Sequence, residues 1–126
     1  MTAERIRESE SDREPMGKGS EQRRWERYNV TLEVNVSGGV KGQYVRLSGQ
    51  ANDVSIGGMR LFVTRMFEPG TSLGLEFLLP YSSSELTLRG VVRNRAGFTH
   101  GIEFVSPSTE QQRIIERTCS VFALLR

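Results

Sequence analysis

The residues best suited to chemistry fall in one short stretch, Asn52-Asp53-Val54-Ser55-Ile56-Gly57-Gly58. The Asp53 carboxylate accepts two parallel N–H bonds, as the edge of a guanine offers. Ser55 can donate to or accept from a phosphate or a base. Gly57 and Gly58 permit positive φ and let a ligand approach the backbone. The same residues also suit a plain Asx-type turn that holds nothing. A second cluster, Gln22-Arg23-Arg24-Trp25-Glu26-Arg27-Tyr28, carries three arginines and two aromatics. Arginine grips phosphate through a planar fork, stacks on rings and reads the O6/N7 edge of guanine. Taken alone, that segment reads as a solvated basic linker. Trp25 and Tyr28 are expected to pack on the surface of the fold rather than to form a base platform.

Other reactive residue types are sparse. His100 is the only histidine, has no cysteine or histidine beside it, and reads as a strand-end residue. Cys119 is the only cysteine, which excludes an intrachain disulfide and a cysteine metal cluster. It falls on the apolar side of a helical pattern and reads as core. Asp53 and Ser55 lack a third group that would complete a hydrolytic set. No catalytic residue, metal site or cofactor is therefore expected. A net charge of +2 and a pI near 9.0 are too mild to imply nucleic acid. No apolar run is long enough to span a membrane, and Met1 to Ser20 has no apolar core of a secretory signal. A cytoplasmic location is expected.

The elements that must position these residues follow from apolar spacing. At 126 residues, one domain is the natural count. Residues 1–21 are rich in Glu, Arg, Ser and Gly and read as a disordered tail, leaving 22–126 as the domain. Val30, Leu32, Val34 and Val36 alternate, predicting a half-buried strand that ends at the turn signal Ser37-Gly38-Gly39. Gln43 to Val54 predicts a second strand, with Gly49 as a bulge. Met59 to Thr64, Leu73 to Leu79, Glu85 to Arg95 and Thr99 to Val105 predict four more. Glu68-Pro69-Gly70 is a turn. Ser108 or Ser106 caps a helix whose apolar side carries Ile114, Ile115, Thr118, Cys119, Phe122 and Leu125. Six strands and a closing helix predict an all-β-dominated fold, a small closed antiparallel barrel with the helix packed on it. Arg60, Arg89, Arg93 and Arg95 read mostly as solvated, with one near the pocket able to add a phosphate contact.

Arg23-x-x-x-Arg27 before the first strand, then Asp53-x-Ser55-x-x-Gly58 at the next strand junction, resembles the PilZ domain. The Gly101-Ile102-Glu103-Phe104 strand and the closing helix are also similar to that family, and the resemblance covers about residues 22 to 125. It implies a six-stranded, split PilZ-like barrel that binds the second messenger cyclic di-GMP. Carried onto this sequence, Arg23 and Arg27 would supply cations for phosphates and guanine. Asp53 would accept from a guanine edge with Ser55 nearby, and Gly58 would leave room. Arg24 and Gly57 are further candidates. Gln22 stands where many members carry a basic residue, so one ligand or an intercalated pair remains open. The implied function is a stand-alone receptor, monomer or weak homodimer, that signals to an unidentified effector protein when its arginine segment orders. Nothing in the sequence clamps that segment in the free chain. Two rival readings remain: a PilZ-like interaction scaffold that does not bind nucleotide, as in type IV pilus assembly, and a barrel for single-stranded nucleic acid. The latter needs exposed aromatics on one face, and the alternation places the aromatics mostly inward.

Overall fold

The computed structural model describes residues 26–125; Arg23, Arg24 and Trp25, with the segment before them, lie outside the described residues. Six strands precede one helix: β1 (Tyr28–Val40), β2 (Gln43–Val54), β3 (Gly58–Phe62), β4 (Ser72–Leu78), β5 (Glu85–Ala96), β6 (Thr99–Val105) and α1 (Thr109–Leu125). Every pairing is antiparallel, and the sheet closes in the order β1-β2-β3-β6-β5-β4. Closure spares a sheet this small two exposed edges.

Period-two alternation decides what fills the barrel. Val34 and Val36 of β1, Leu61 of β3, Leu73, Leu75 and Phe77 of β4, and Val92 of β5 all point inward and are buried. Each such side chain contributes roughly 1.5–3 kcal/mol of transfer free energy. Helix α1 begins with a reciprocal cap: the Ser108 Oγ accepts from the Gln111 N–H at 3.1 Å, and the Gln111 side chain accepts from the Ser108 N–H at 2.9 Å. The helix buries Ile115, Thr118 and Cys119. Phe122 stacks on Tyr28 at 5.8 Å, tying α1 to the start of β1. Tyr28 thus packs on the fold as its sequence context predicts.

Several local expectations change. Strand β1 runs through Ser37-Gly38-Gly39 to Val40 instead of stopping there. Gly38 faces inward, where a β-carbon would come within 2.7 Å of the Leu73 side chain, so this glycine serves packing. The reversal comes at Lys41-Gly42, both at positive φ, as a two-residue hairpin loop requires. Gly49 pairs with Val34 in regular register and is not a bulge. The irregularity on β2 lies between Ala51 and Asp53, at Asn52. Leu125 is exposed, not part of the apolar face of α1. The aromatics are not mostly inward: Tyr44, Phe62, Tyr81 and Phe98 are exposed, whereas Phe67, Phe77 and Phe104 are buried.

The Asn52 bulge fixes the geometry of the polar stretch. Ala51 and Val54 are both buried, and the two residues between them, Asn52 and Asp53, both face outward. A regular strand would turn one of the pair inward. A second irregularity, between Val92 and Asn94 of β5, likewise leaves Arg93 and Asn94 on the outside.

Candidate functional site

Asp53 stands near the end of β2 on the outer face, between β1 and β3. Its register partner on β1 is Asn29, two residues after Arg27, and its partner on β3 is Arg60. Both arginines converge on its carboxylate. The Arg27 Nη1 lies 3.0 Å from Oδ1, and the Arg60 Nε lies 3.5 Å from Oδ2. The Arg27 Nε is buried and has no hydrogen-bond partner among the described residues. The Asp53 side chain is 13% exposed, against 31% for Arg27 and 44% for Arg60. Two cations against one carboxylate leave a local positive surplus that favours an anion. Both arginines keep part of their surface in water, which screens each contact and lets them exchange one anion for another.

Arg27 and Asp53, singled out separately in the sequence, are thus brought together. The expectation that nothing clamps the arginine segment does not hold at Arg27, because Asp53 holds it. Arg23 and Arg24 lie outside the described residues. The partnership of Arg60 with Asp53 is not legible from spacing alone; its signal is the cross-strand register of the β2–β3 hairpin.

The rest of the stretch shapes the turn. The Ser55 N–H donates to the Gly58 carbonyl at 2.8 Å. The buried Ser55 hydroxyl accepts from the Gly57 N–H at 3.3 Å and donates to the same Gly58 carbonyl at 3.4 Å. The Gly57 carbonyl accepts from Phe104 N–H at 2.9 Å, pinning the turn to β6. A β-carbon on Gly58 would overlap the carbonyl of Ile102, so that glycine allows β3 and β6 to approach each other. In this arrangement, Ser55, Gly57 and Gly58 hold the hairpin that presents Asp53. Beyond Arg60, Gly101 of β6 leaves space that the Asn94 side chain covers, and Arg93 pairs with Glu103 at 2.5 Å.

His100 is not an ordinary strand-end residue. It is fully buried on the inner face. Its Nε2 accepts the Phe67 N–H at 3.0 Å, and its Nδ1 lies 3.0 Å from the Phe98 carbonyl. That pair of partners requires the neutral tautomer with the proton on Nδ1. Burial lowers its pKa from the usual 6.5, the Arg95 charge adding to the effect and backbone hydrogen bonds opposing it. Cys119 is buried, and burial, then Glu116, push its thiol up to about 11. Both are therefore inert at neutral pH. Among the described residues, no group of three His, Cys, Asp or Glu is placed to hold a metal ion, and no helix is long and apolar enough to cross a membrane.

A family model for the PilZ domain matches residues 21–120. No curated protein matches the sequence. Among solved structures, the fold is similar to the motility inhibitor MotI/DgrA of Bacillus subtilis, with a TM-score of 0.66 at 19% identity, covering 82% of this chain and 52% of that one. It is similar to the PilZ domain of YcgR from Escherichia coli, solved with cyclic di-GMP, with a TM-score of 0.58 at 13% identity over 76% of this chain and 87% of that one. The MrkH–cyclic di-GMP complex of K. pneumonia gives a TM-score of 0.62 at 19% identity, covering 81% and 52%. The chain spans about half the length of MotI and of MrkH. With the family model covering most of its length and a closed six-stranded barrel carrying one C-terminal helix, this chain belongs to the PilZ domain family.

Proposed function

We propose that this chain is a receptor for cyclic di-GMP, with Asp53, Arg27 and Arg60 at the centre of its site. The observation that carries the reading is the Asp53 carboxylate on the outer face with an arginine on each side. PilZ domains are typically receptors for this messenger, and the similar domains of YcgR and MrkH were solved with it. A guanine presents N1–H and N2–H2 along one edge, matching a carboxylate, while the phosphates of the same ligand need cations. Binding is then an exchange. The guanine edge takes over the Asp53 oxygens, and Arg27, released from Oδ1, turns to a phosphate. Arg23 and Arg24, a few residues upstream, add charge to that side. The Ser55–Gly58 turn keeps Asp53 in place during the exchange.

The signal leaves through the N-terminal segment. Arg27 is its last residue before β1, so moving Arg27 from a carboxylate to a ligand phosphate redraws the path of residues 22–27. This ordering alters the surface offered to an effector protein. Ordering costs part of the gross binding energy, so the Kd is expected at about 0.1–10 μM. Calorimetric titration with cyclic di-GMP and, in parallel, a random oligonucleotide tests the reading. Binding of cyclic di-GMP alone, weakened about 10- to 100-fold by Arg27→Ala, supports it. A chain that binds neither is an interaction scaffold, and one that binds only the oligonucleotide is a single-strand binder. Trp25 emission and trypsin protection after Arg23, Arg24 and Arg27 report the ordering step; tight binding with both unchanged would sink that step.

A further inference from the structure

Along β3, two residues beyond Arg60 and on the same outer face, stands Phe62. The residue is 41% exposed, and its ring meets Phe98 edge-on, with ring centroids 6.2 Å apart. The register places Gln50 of β2 opposite Phe62, and Glu33 of β1 opposite Gln50. The three form a row across the outer wall, about 7 Å along the strands from Asp53 and Arg60. The row borders a groove of about 430 Å³ whose wall also includes Thr31, Ser48 and Thr64.

The chemistry of this row complements that of Asp53. An outward aromatic ring beside a groove is a stacking platform, and base–aromatic stacking is worth about 1–3 kcal/mol. Glu33 offers a second outward carboxylate, whose Oε2 accepts from the Ser48 hydroxyl at 3.0 Å. That is an exposed contact a stronger donor displaces. The Gln50 amide, 3.4 Å from the Asn52 side chain, brings both a donor and an acceptor between carboxylate and ring. Ring, amide and carboxylate together can hold the face and the N1–H edge of a purine. A purine of the adenine type offers the carboxylate no N1–H.

We propose that Glu33, Gln50 and Phe62 form a second purine subsite, continuous with the Asp53 site, which takes the other guanine of a cyclic dinucleotide. The inference rests on Asp53 reading the first guanine. Phe62 supplies the stacking face, and Glu33 sets the preference for guanine over adenine.

The test compares cyclic di-GMP with cyclic GMP–AMP, which has a single guanine, by calorimetry on the full chain. The native chain is expected to bind the mixed dinucleotide about 10- to 100-fold more weakly, as loss of one hydrogen bond to a charged group predicts. Glu33→Gln closes most of that gap. Phe62→Leu weakens both ligands about fivefold or more. Thermal melts of both variants should stay close to the native chain, because both side chains face solvent. A selectivity ratio altered at constant stability is something a merely structural role would not produce. If native binding depends on Asp53 while Phe62→Leu and Glu33→Gln leave both affinities unchanged, the subsite is wrong and the receptor reading stands. If the native chain binds no cyclic di-GMP, the subsite falls together with that reading.

Discussion

Two polar clusters occupy opposite faces of the same stretch of barrel wall. Arg60 pairs with Gly101 across β3 and β6, and the next pair along is Leu61 with His100. On the outside, Asp53 is shared by two part-exposed arginines, one with an Nε that has no partner among the described residues. On the inside, both His100 nitrogens are occupied by backbone groups of the chain segments that flank β3 and β6. Residue type alone makes either look functional. The difference is whether the partners can be exchanged. His100 is committed to two backbone groups away from water, so breaking its bonds breaks the fold. Asp53 is held by two part-exposed arginines on the outer face, where a ligand that offers donors to the carboxylate and an anion to the arginines can take their place.

The largest expected effect lies on the inner face. His100→Ala leaves the Phe67 N–H without its acceptor, frees the Phe98 carbonyl and opens a cavity, and should cost about 3–5 kcal/mol of stability. Chemical denaturation measures it. A loss below about 1 kcal/mol would remove the contrast between the faces. Gly58→Ala comes next. Its new methyl group meets the Ile102 carbonyl, a backbone atom that cannot step aside. The expected loss is near the upper end of the roughly 1–3 kcal/mol typical of overpacking. A crystal structure or amide exchange should place the disturbance at the β3–β6 pairing.

On the outer face the ranking reverses, with function affected more than stability. Asp53→Asn should change stability by less than about 1 kcal/mol. It should weaken cyclic di-GMP binding by about 1.5–3 kcal/mol and narrow the preference over cyclic di-AMP. Equal losses in both quantities would make Asp53 a structural residue like His100. The smallest effect is the pH dependence of stability. His100 has its folded pKa lowered by burial. Its neutral form is the one the fold accepts, so its contribution is complete above the unfolded value of about 6.5 and is lost as pH falls toward the folded pKa. The urea midpoint of the native chain should therefore drop as pH falls below about 6.5. His100→Gln should flatten that segment of the profile.

Much of this arrangement is legible in the sequence, for physical reasons. The Leu73, Leu75, Phe77, Leu79 alternation and the Pro69-Gly70 turn write β4 and its approach directly, and the Thr71 N–H does close on the Glu68 carbonyl at 3.1 Å. Ser108 and Gln111 write the start of α1. Gly38 and Gly49 mislead because glycine marks close packing of neighbours as readily as it marks a turn or bulge. The burial of His100 and the meeting of Arg60 with Asp53 depend on which strands become neighbours. His100 is the register partner of Leu61 on a strand remote in sequence, which no local pattern announces, and Arg60 meets Asp53 only through the register of the β2–β3 hairpin. The outward aromatics are missed for a related reason: Phe62 and Phe98 find each other across the barrel wall, not along a strand.

The extra residue at Asn52 makes the outer site sensitive to chain length rather than to residue identity. Removing one residue between Ala51 and Val54, whichever one, would restore strict alternation and leave a single outward position where there are now two. Inserting one would shift the phase again. Substitutions at Asn52 should therefore be well tolerated, whereas single-residue insertions and deletions there should not. In any comparison with other barrels of this kind, a gap placed between these two apolar anchors means that the carboxylate has lost its outward address, even when an aspartate still stands in the aligned column.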